Sequence, residues 1–354
     1  MKFFRLISIL MISIIMMSFS GCSNDEEIQI EIDDSASDDS DNENSSEPET
    51  NYVSTVKVGT LKGPTGVGML RLMELEENEE TYEFNSYNFT ITDSTDELIA
   101  KFTNDEIDIA AIPTNLASVL YNKTDGNVQI AAINTLGALN IVENGNTIKT
   151  INDLSNKTIY ATSKGAVPEY VLDYLLKENS VENITIEYKE PSELASLMAA
   201  GEVSIGMLPE PQCSVAMSKN SDLKIAINIT EEWKNTAGSE IATGCIAVKK
   251  DYAERHPRVF GYFLQDYYTS VMYATQNIPE TAALAEKYGI IPNADIAERA
   301  IPNCNIVYID GDEMNTSVTN FLNVLYNSNP DSTGGKVPGE DFFYTPKEKY
   351  AIKK

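Results

Sequence analysis

An internal repeat constrains the fold of this 354-residue chain more than any other feature of its sequence. The segment Thr95–Val119 aligns without gaps on Pro191–Val215, and seven of the 25 aligned positions are identical, Pro113 and Pro209 among them. Each copy has the pattern of a helix, a tight turn, a buried strand, a proline and a second helix. Convergent patterning of ordinary helix–strand–helix units is the alternative explanation. Duplication predicts two similar lobes.

The rest of the chain after residue 53 alternates strand and helix patterns in the same rhythm. Thr55–Leu61 and Lys157–Ala161 predict strands, and each is followed by a Lys-Gly pair, at Lys62 and Lys164, that opens a helix. Strands that alternate with helices indicate sheets covered by helices on both faces. We therefore expect an α/β fold class with mostly parallel sheets, flanked by helices, and one ligand cleft between the two lobes.

The first residues have the pattern of an export signal. Lys2 and Arg5 precede an apolar run, Leu6–Phe19, which is shorter than the roughly 20 residues of a spanning helix. The run ends in Phe-Ser-Gly-Cys, so we expect residues 1–21 to be a lipoprotein signal peptide and Cys22 to be lipidated. A plain signal peptide with an incidental cysteine is the alternative. Residues 22–52 contain twelve Asp and Glu and no Lys or Arg, which predicts a disordered acidic tether.

Composition excludes several functions. The formal net charge of −28 argues against nucleic-acid binding and against a basic membrane-docking patch. A single histidine, His256, lies in a charged turn and cannot form a multi-imidazole metal site, so we expect no metal and no cofactor. Cys213 and Cys245 lie at apolar positions typical of the core, with a bridge between them as the alternative, and Cys304 is predicted to be half-exposed.

Five segments of the chain resemble the solute-binding proteins of ABC importers, in the nitrate, sulfonate, taurine and thiamine-precursor group. They occur in the family's order and span about residues 53–330; they are LKGPTGVGMLRLME, EIDIAAIPTNLASVLYNK, TSKGAVPEYVLDYLLKEN, GEVSIGMLPEPQCSVA and AVKKDYAERHPRVF. The resemblance implies a type II periplasmic-binding fold whose lobes close over a solute. It also implies discontinuous lobes, which we place at residues 53–145 plus 243–354 and at 146–242, with crossings near 142–147 and 241–247.

The loops at strand ends supply the candidate ligand-binding residues. Backbone N–H groups at a helix start bind polar ligand atoms, although each of these loops could instead be an ordinary helix cap or an exposed turn. The candidates in the first lobe are Lys62, Gly63, Thr65, Gly66, Thr114 and Asn115. Those in the second lobe are Ser163, Lys164, Gly165, Ala166 and Glu210.

Glu210 aligns with Thr114 in the repeat, and each residue follows the proline at a strand end. A cleft carboxylate is an acceptor only and repels an anion, so Glu210 would favour a solute with N–H donors or positive charge unless Lys62 or Lys164 compensates. The alternative is a carboxylate that only stabilises the start of a helix.

The function predicted from these features is binding without chemistry, with no catalytic residues. We expect a monomeric, lipid-anchored receptor on the outer side of the cell membrane that delivers a small polar organic solute to an ABC permease with cytoplasmic ATPases. The alternative is an enzyme on the same fold that acts on a small pyrimidine-like or aromatic compound. A sensory ectodomain or adhesin is a third possibility.

Overall fold

A computed structural model describes residues 54–80 and 85–346, so the predicted signal peptide, Cys22 and the whole of the predicted tether lie outside the described residues. The strands are β1 Ser54–Leu61, β2 Asn85–Thr92, β3 Ile109–Pro113, β4 Val128–Leu136, β5 Leu139–Asn144, β6 Thr158–Thr162, β7 Thr185–Lys189, β8 Ile205–Pro209, β9 Leu223–Asn228, β10 Ala242–Lys249 and β11 Ile306–Ile309. The helices are α1 Pro64–Val67, α2 Leu70–Glu77, α3 Thr95–Thr103, α4 Thr114–Lys123, α5 Val167–Glu178, α6 Pro191–Ala199, α7 Gln212–Lys219, α8 Ile229–Ala237, α9 Lys250–Arg255, α10 Pro257–Gln276, α11 Ile278–Lys287, α12 Ala294–Ala300 and α13 Gly311–Ser328. Short 3-10 turns cover Ile151–Leu154, Ile301–Asn303, Pro330–Thr333 and Glu340–Phe342.

The strands form two sheets, in the orders β11-β4-β10-β3-β1-β2 and β7-β6-β8-β5-β9. Each sheet contains three parallel strands in the same arrangement, with β1 between β2 and β3 in one sheet and β6 between β7 and β8 in the other. An antiparallel strand then follows, β10 in one sheet and β5 in the other, so both sheets are mixed. The α/β fold class with flanking helices is confirmed, and the two segments of the sequence repeat occupy equivalent places as α3-β3-α4 and α6-β8-α7.

The first crossing between the sheets lies earlier than the sequence predicts. We predicted it near residues 142–147 and assigned residues up to 145 to lobe one, but β5 belongs to the five-stranded sheet. The chain crosses at Gly137 and Ala138, both of which have positive φ. The mostly apolar segment 139–142 is compatible with either sheet, and only its pairing with β8 and β9 decides the boundary. The second crossing lies directly before β10, at residue 241, which is the start of the predicted range.

The core confirms most of the predicted buried positions. Cys213 and Cys245 are buried free thiols, so the alternative of a bridge between them is wrong. Cys304 is fully buried rather than half-exposed, because it belongs to the same hydrophobic cluster as Ala297 of α12 and Ile306 of β11. The long helix α10 is buried along Phe260, Phe263, Tyr267 and Val271, whereas His256 is exposed. Within the described ranges, no helix is both long and apolar enough to cross a membrane.

Candidate functional site

The carboxyl ends of several strands meet at one edge of each sheet. Because β10 is antiparallel to both β3 and β4, those two strands are parallel to each other and to β1. The carboxyl ends of β1, β3 and β4, together with the amino end of β10, therefore lie at a single edge of the six-stranded sheet. The ends of β6 and β8 form the matching edge of the other sheet. Strand ends of this kind are where ligands bind in open α/β sheets.

The loops on these two edges contact each other across the cleft. Asn115, at the start of α4, donates a hydrogen bond from Nδ2 to the carbonyl oxygen of Gly165 in the second lobe at 3.3 Å. On the other flank, a Cβ added to Gly63 would lie 4.0 Å from Cδ of Pro211. Four of the predicted loops, those that begin after β1, β3, β6 and β8, are therefore neighbours in the structure.

The cleft edges carry buried polar atoms that make no hydrogen bond of full geometry among the described residues, although Tyr267 lies close to Asn134 and Thr114 lies close to Cys245. We call these residues the strand-end cluster: Thr114, Asn115, Asn134, Thr135, Thr162, Tyr267 and Tyr308. Thr114, Asn134 and Thr162 are at most 1% exposed. A buried polar group without a partner is costly, and most such groups in native proteins are paired. A ligand with its own donors and acceptors would supply the missing partners.

Part of this cluster surrounds the amino end of β10. A Cβ added to Gly244 would lie 2.5 Å from Oδ1 of Asn134 and 2.8 Å from Cγ2 of Thr65. Glycine at this position therefore allows the loop after β1 and the end of β4 to approach the backbone of β10 closely. The hydroxyl of Tyr267 approaches the same loop, 2.8 Å from a Cβ added to Gly68. Burial raises the pKa of Tyr267, so its hydroxyl stays protonated and remains a hydrogen-bond donor.

Glu210 lies in a separate pocket between the lobes. This pocket has a volume of about 190 Å³, and its lining includes Asn140, Glu210 and Asn228 from one lobe and Pro302, Asn303 and Asn305 from the other. Glu210 is 2% exposed, and its Oε2 accepts a hydrogen bond from the backbone N–H of Ser214 at 3.1 Å. Burial raises the pKa of Glu210, against the opposing effect of that hydrogen bond.

The two predicted lysines do not join the cluster. Lys62 is exposed and forms an ion pair with Asp93 at 3.1 Å, and Lys164 is exposed with its Nζ 5.6 Å from the ring centre of Tyr188. Of the other candidates, Gly66 is buried against Leu61 and Ile290, Thr65 and Ser163 are half-buried, and Ala166 is buried at the start of α5. The structure thus brings together Gly63, Thr65, Thr114, Asn115 and Gly165, while the lysine side chains point to solvent.

The sequence analysis missed Asn134, Thr135, Thr162, Tyr267 and Tyr308. Asn134 and Thr135 end a run of apolar residues, the same signal that identified Thr114, and Thr162 directly precedes the Lys-Gly loop of lobe two. Those three could have been found from their place at strand ends. The tyrosine hydroxyls could not, because the sequence pattern of α10 indicates only that Tyr267 is buried.

The chemistry available at this site is hydrogen bonding by neutral groups. The strand-end cluster consists of threonine, asparagine and tyrosine side chains, and no lysine or arginine is buried in residues 54–80 and 85–346. Over the same residues, no group of three His, Cys, Asp or Glu side chains is placed to hold a metal ion. The arrangement can orient and hold a polar molecule.

Several solved structures with the same fold are named as parts of bacterial transport systems. An ABC transporter from Parabacteroides distasonis is 24% identical, with a TM-score of 0.69 over 82% of this chain and 99% of that one. The periplasmic aliphatic sulphonate binding protein of Escherichia coli is 15% identical, with a TM-score of 0.67 over 84% and 94%. The ligand-binding component of an ABC-type import system from Staphylococcus aureus is 13% identical, with a TM-score of 0.64 over 83% and 97%. These likenesses show a type II periplasmic-binding-protein fold.

Comparison by sequence gives a family. No curated protein matches the chain in a sequence search. A family model described as menaquinone biosynthesis matches residues 73–322, which is most of the chain and spans both sheets. The chain therefore belongs to the menaquinone biosynthesis family.

Proposed function

We propose that this protein is an extracytoplasmic solute-binding protein of an ABC importer, which captures a small polar organic solute between its two lobes. The observation that carries the proposal is the strand-end cluster, whose polar atoms are buried at the cleft and, in Asn115, Thr135 and Thr162, have no partners among the described residues. Burying polar atoms without hydrogen-bond partners costs free energy, and a solute that pairs with these atoms removes that cost. Binding of the solute therefore favours the state in which the lobes touch.

The neutral character of the cluster supports binding over catalysis. General acid–base catalysis needs a group whose pKa lies near the working pH. Threonine and asparagine side chains do not titrate, and burial raises the pKa of Tyr267 further from neutrality. Such groups hold a solute and release it unchanged, as a receptor must.

Delivery to a permease completes the proposed role. The short apolar run that ends at Cys22 supports a lipid anchor on the outer face of the cell membrane, and residues 23–50 supply an acidic tether long enough to let the folded part move. The partners are then a membrane permease and its cytoplasmic ATPases, and the receptor acts as a monomer. The fold is shared with proteins named as parts of ABC import systems, which supports this assignment.

An enzyme is the second candidate function, favoured by membership of the menaquinone biosynthesis family. On this alternative the cleft would convert a small pyrimidine-like or aromatic compound. Glu210 is the one buried carboxylate of the described inter-lobe pocket and would be its acid–base group.

The two functions can be distinguished by the small molecule that the protein releases and by whether its mass changes during incubation. The full chain is purified in detergent from the cells that produce it, then denatured, and the released small molecules are identified by mass spectrometry. We expect one retained solute, whose mass is unchanged after hours of incubation with the folded protein. Time-dependent conversion of that solute into a product of different mass would contradict the receptor proposal and favour the enzyme.

A further inference from the structure

The two buried carboxylates of the described chain lie in different surroundings. Glu143, at the end of β5, accepts hydrogen bonds from the backbone N–H groups of Thr147 and Ile148 and from Oγ1 of Thr147, and these reach both of its oxygens. Glu210 accepts a backbone hydrogen bond from the N–H of Ser214 at Oε2, and the Ser214 hydroxyl and the Cys213 thiol also donate to it. A carboxylate offers about four acceptor positions, so Glu210, which lines a pocket between the lobes, can accept from one further donor that enters this pocket.

The surroundings of Glu210 contain no compensating cation. None of the ten residues that line its pocket is a lysine or arginine, and in the described ranges no ion pair is formed by Glu210. The nearest polar groups include a hydroxyl, a thiol and a carboxamide, those of Ser214, Cys213 and Asn140. Neutral dipoles of this kind do not balance a buried negative charge, which is costly to keep without a partner.

The approach to this pocket also favours positive charge. A larger groove of about 1090 Å³ shares Thr230, Pro302 and Asn305 with the pocket of Glu210. Its lining includes Asp312 and Glu313, together with Glu240, which is paired with Lys234, and no lysine or arginine. A cleft lined by one sign of charge concentrates ligands of the opposite sign.

We propose that the solute carries a positively charged nitrogen group, such as an ammonium, amidinium or guanidinium, which pairs with Glu210 between the lobes. This inference rests on the proposed receptor function and names its substrate class. The pocket contributes groups from both lobes, Glu210 and Asn140 from one and Asn303 and Asn305 from the other, so the nitrogen group also links the lobes. Sulfonate and nitrate would instead meet an acceptor of like charge.

The test uses the solute that the full chain retains on purification, and small probes that need no prior identification. Mass spectrometry of the released solute should find a nitrogen group that is protonated at neutral pH. Titration calorimetry with methylguanidinium, acetamidinium and ethylammonium, against methanesulfonate and nitrate, should find binding among the cations only. Glu210→Gln keeps the size and the acceptor for Ser214 but removes the charge, and should weaken cation binding roughly ten- to hundredfold.

The control variant is Asp93→Asn, which removes one negative charge at an exposed site 3.1 Å from Lys62 and should leave cation binding within about twofold.

A retained solute without a basic nitrogen, or cation binding that Glu210→Gln leaves unchanged, would overturn the charge inference while the receptor function stood. Absence of binding by all five probes, with no basic solute retained, would overturn it as well. Conversion of the retained solute into a product would instead overturn the receptor function. If Glu210→Gln does not fold, the identity of the retained solute alone decides.

Discussion

At the scale of single residues, Asn115 connects three separate parts of the molecule. It is fully buried at the start of α4, and its Nδ2 donates to the carbonyl oxygens of Gly165 in lobe two and of Ser332 in the C-terminal segment, both at 3.3 Å. Its Oδ1 has no partner in the described part of the chain. One amide thus fixes the loop after β6 and still offers an acceptor to the cleft.

We expect Asn115→Ala to lower the free energy of unfolding by about 1–2 kcal/mol, because two carbonyl oxygens lose a donor. It should also weaken solute binding, since the contact between the lobes is lost. Urea unfolding and titration calorimetry with the retained solute measure the two effects.

Asn122→Ala is the matched control. Asn122 donates to the carbonyl oxygens of Thr333 and Lys336 at 2.7 and 2.8 Å and makes no hydrogen bond to the described part of lobe two. It should therefore lower stability by a similar amount without changing affinity. Equal losses of affinity in both variants would show that Asn115 acts through stability alone.

Glu143 predicts a pH dependence of stability. Burial by itself would raise its pKa, but the hydrogen bonds from Thr147 and Ile148 outweigh this effect and hold the pKa below the usual 4.5. A lowered native pKa means that the unfolded state binds more protons, so the stabilisation is present above pH 4.5 and is lost as the pH falls through the native value. We expect Glu143→Gln to cost about 1–3 kcal/mol at pH 7 and progressively less below about pH 4.5.

Urea unfolding of the parent and Glu143→Gln between about pH 3 and 7 tests this dependence. Glu187→Gln is the control, because this glutamate of β7 is exposed and should change stability little at any pH. A difference between parent and Glu143→Gln that stays constant over the whole range would show that the charge of Glu143 is not responsible.

At the scale of elements, the crossing between the sheets depends on one glycine. Gly137 joins β4 to β5 with φ of +53°, donates to the carbonyl oxygen of Ile241 at 2.9 Å, and accepts from Oγ1 of Thr243 at 3.0 Å. The two chain crossings are therefore bonded to each other. Thr230 at the start of α8 packs against this point, and its Oγ1 accepts from the N–H of Ala138 at 3.1 Å.

We expect Gly137→Ala to lower the free energy of unfolding by more than about 2 kcal/mol. The left-handed conformation alone costs an L-residue about 1–2 kcal/mol, and the added Cβ would also lie 2.2 Å from Oγ1 of Thr230. Gly238→Ala measures the cost of the left-handed conformation alone, because Gly238 has φ of +68° and nothing lies within 4 Å of an added Cβ. Thr230→Gly should restore part of the loss in Gly137→Ala. Equal unfolding free energies for Gly137→Ala and Gly238→Ala would contradict a steric role of Thr230.

At the scale of the whole molecule, two similar lobes share one polar cleft. The loops of the two lobes already touch in this structure, through Asn115 with Gly165 and Gly63 with Pro211. A solute that contacts both lobes favours this arrangement by the difference between its affinities for the touching and separated states.

Small-angle scattering of the full chain, with and without saturating solute, should therefore give a smaller radius of gyration when the solute is bound. The exposed side chain of Lys62 should not matter, so Lys62→Gln serves as a control with the same change in radius. An unchanged radius in a sample shown by calorimetry to be saturated would contradict closure by a hinge.

Attachment to the membrane is a second prediction for the molecule as a whole. Two acyl chains hold a protein stably on a membrane, whereas one holds it only marginally. Cys22→Ser should therefore move the protein from the membrane fraction to the soluble fraction of a bacterium that expresses it. Retention of Cys22→Ser in the membrane fraction, as firmly as the parent, would contradict lipidation at Cys22.

Local patterns in the amino-acid sequence were enough to predict the duplicated α/β architecture and the loops that carry polar residues. Hydrophobic periodicity and the prolines that end β3 and β8 are local properties of the chain, so the strands predicted at Thr55–Leu61 and Lys157–Ala161 agree with β1 and β6 within one residue at each end. Thr114 and Asn115 were identified in the same way, from their place directly after a buried strand.

Long-range pairing and packing, by contrast, set where the chain crosses and which polar groups are buried together. The apolar run of β5 suits either sheet, so its side of the crossing depends on pairing with strands more than sixty residues away. The same holds for Asn134, Tyr267 and Glu210, whose burial comes from residues distant along the chain. Lys62 and Lys164, in the two Lys-Gly loops, are exposed instead, because a flexible charged side chain is stabilised more by water than by a cleft that offers it no partner.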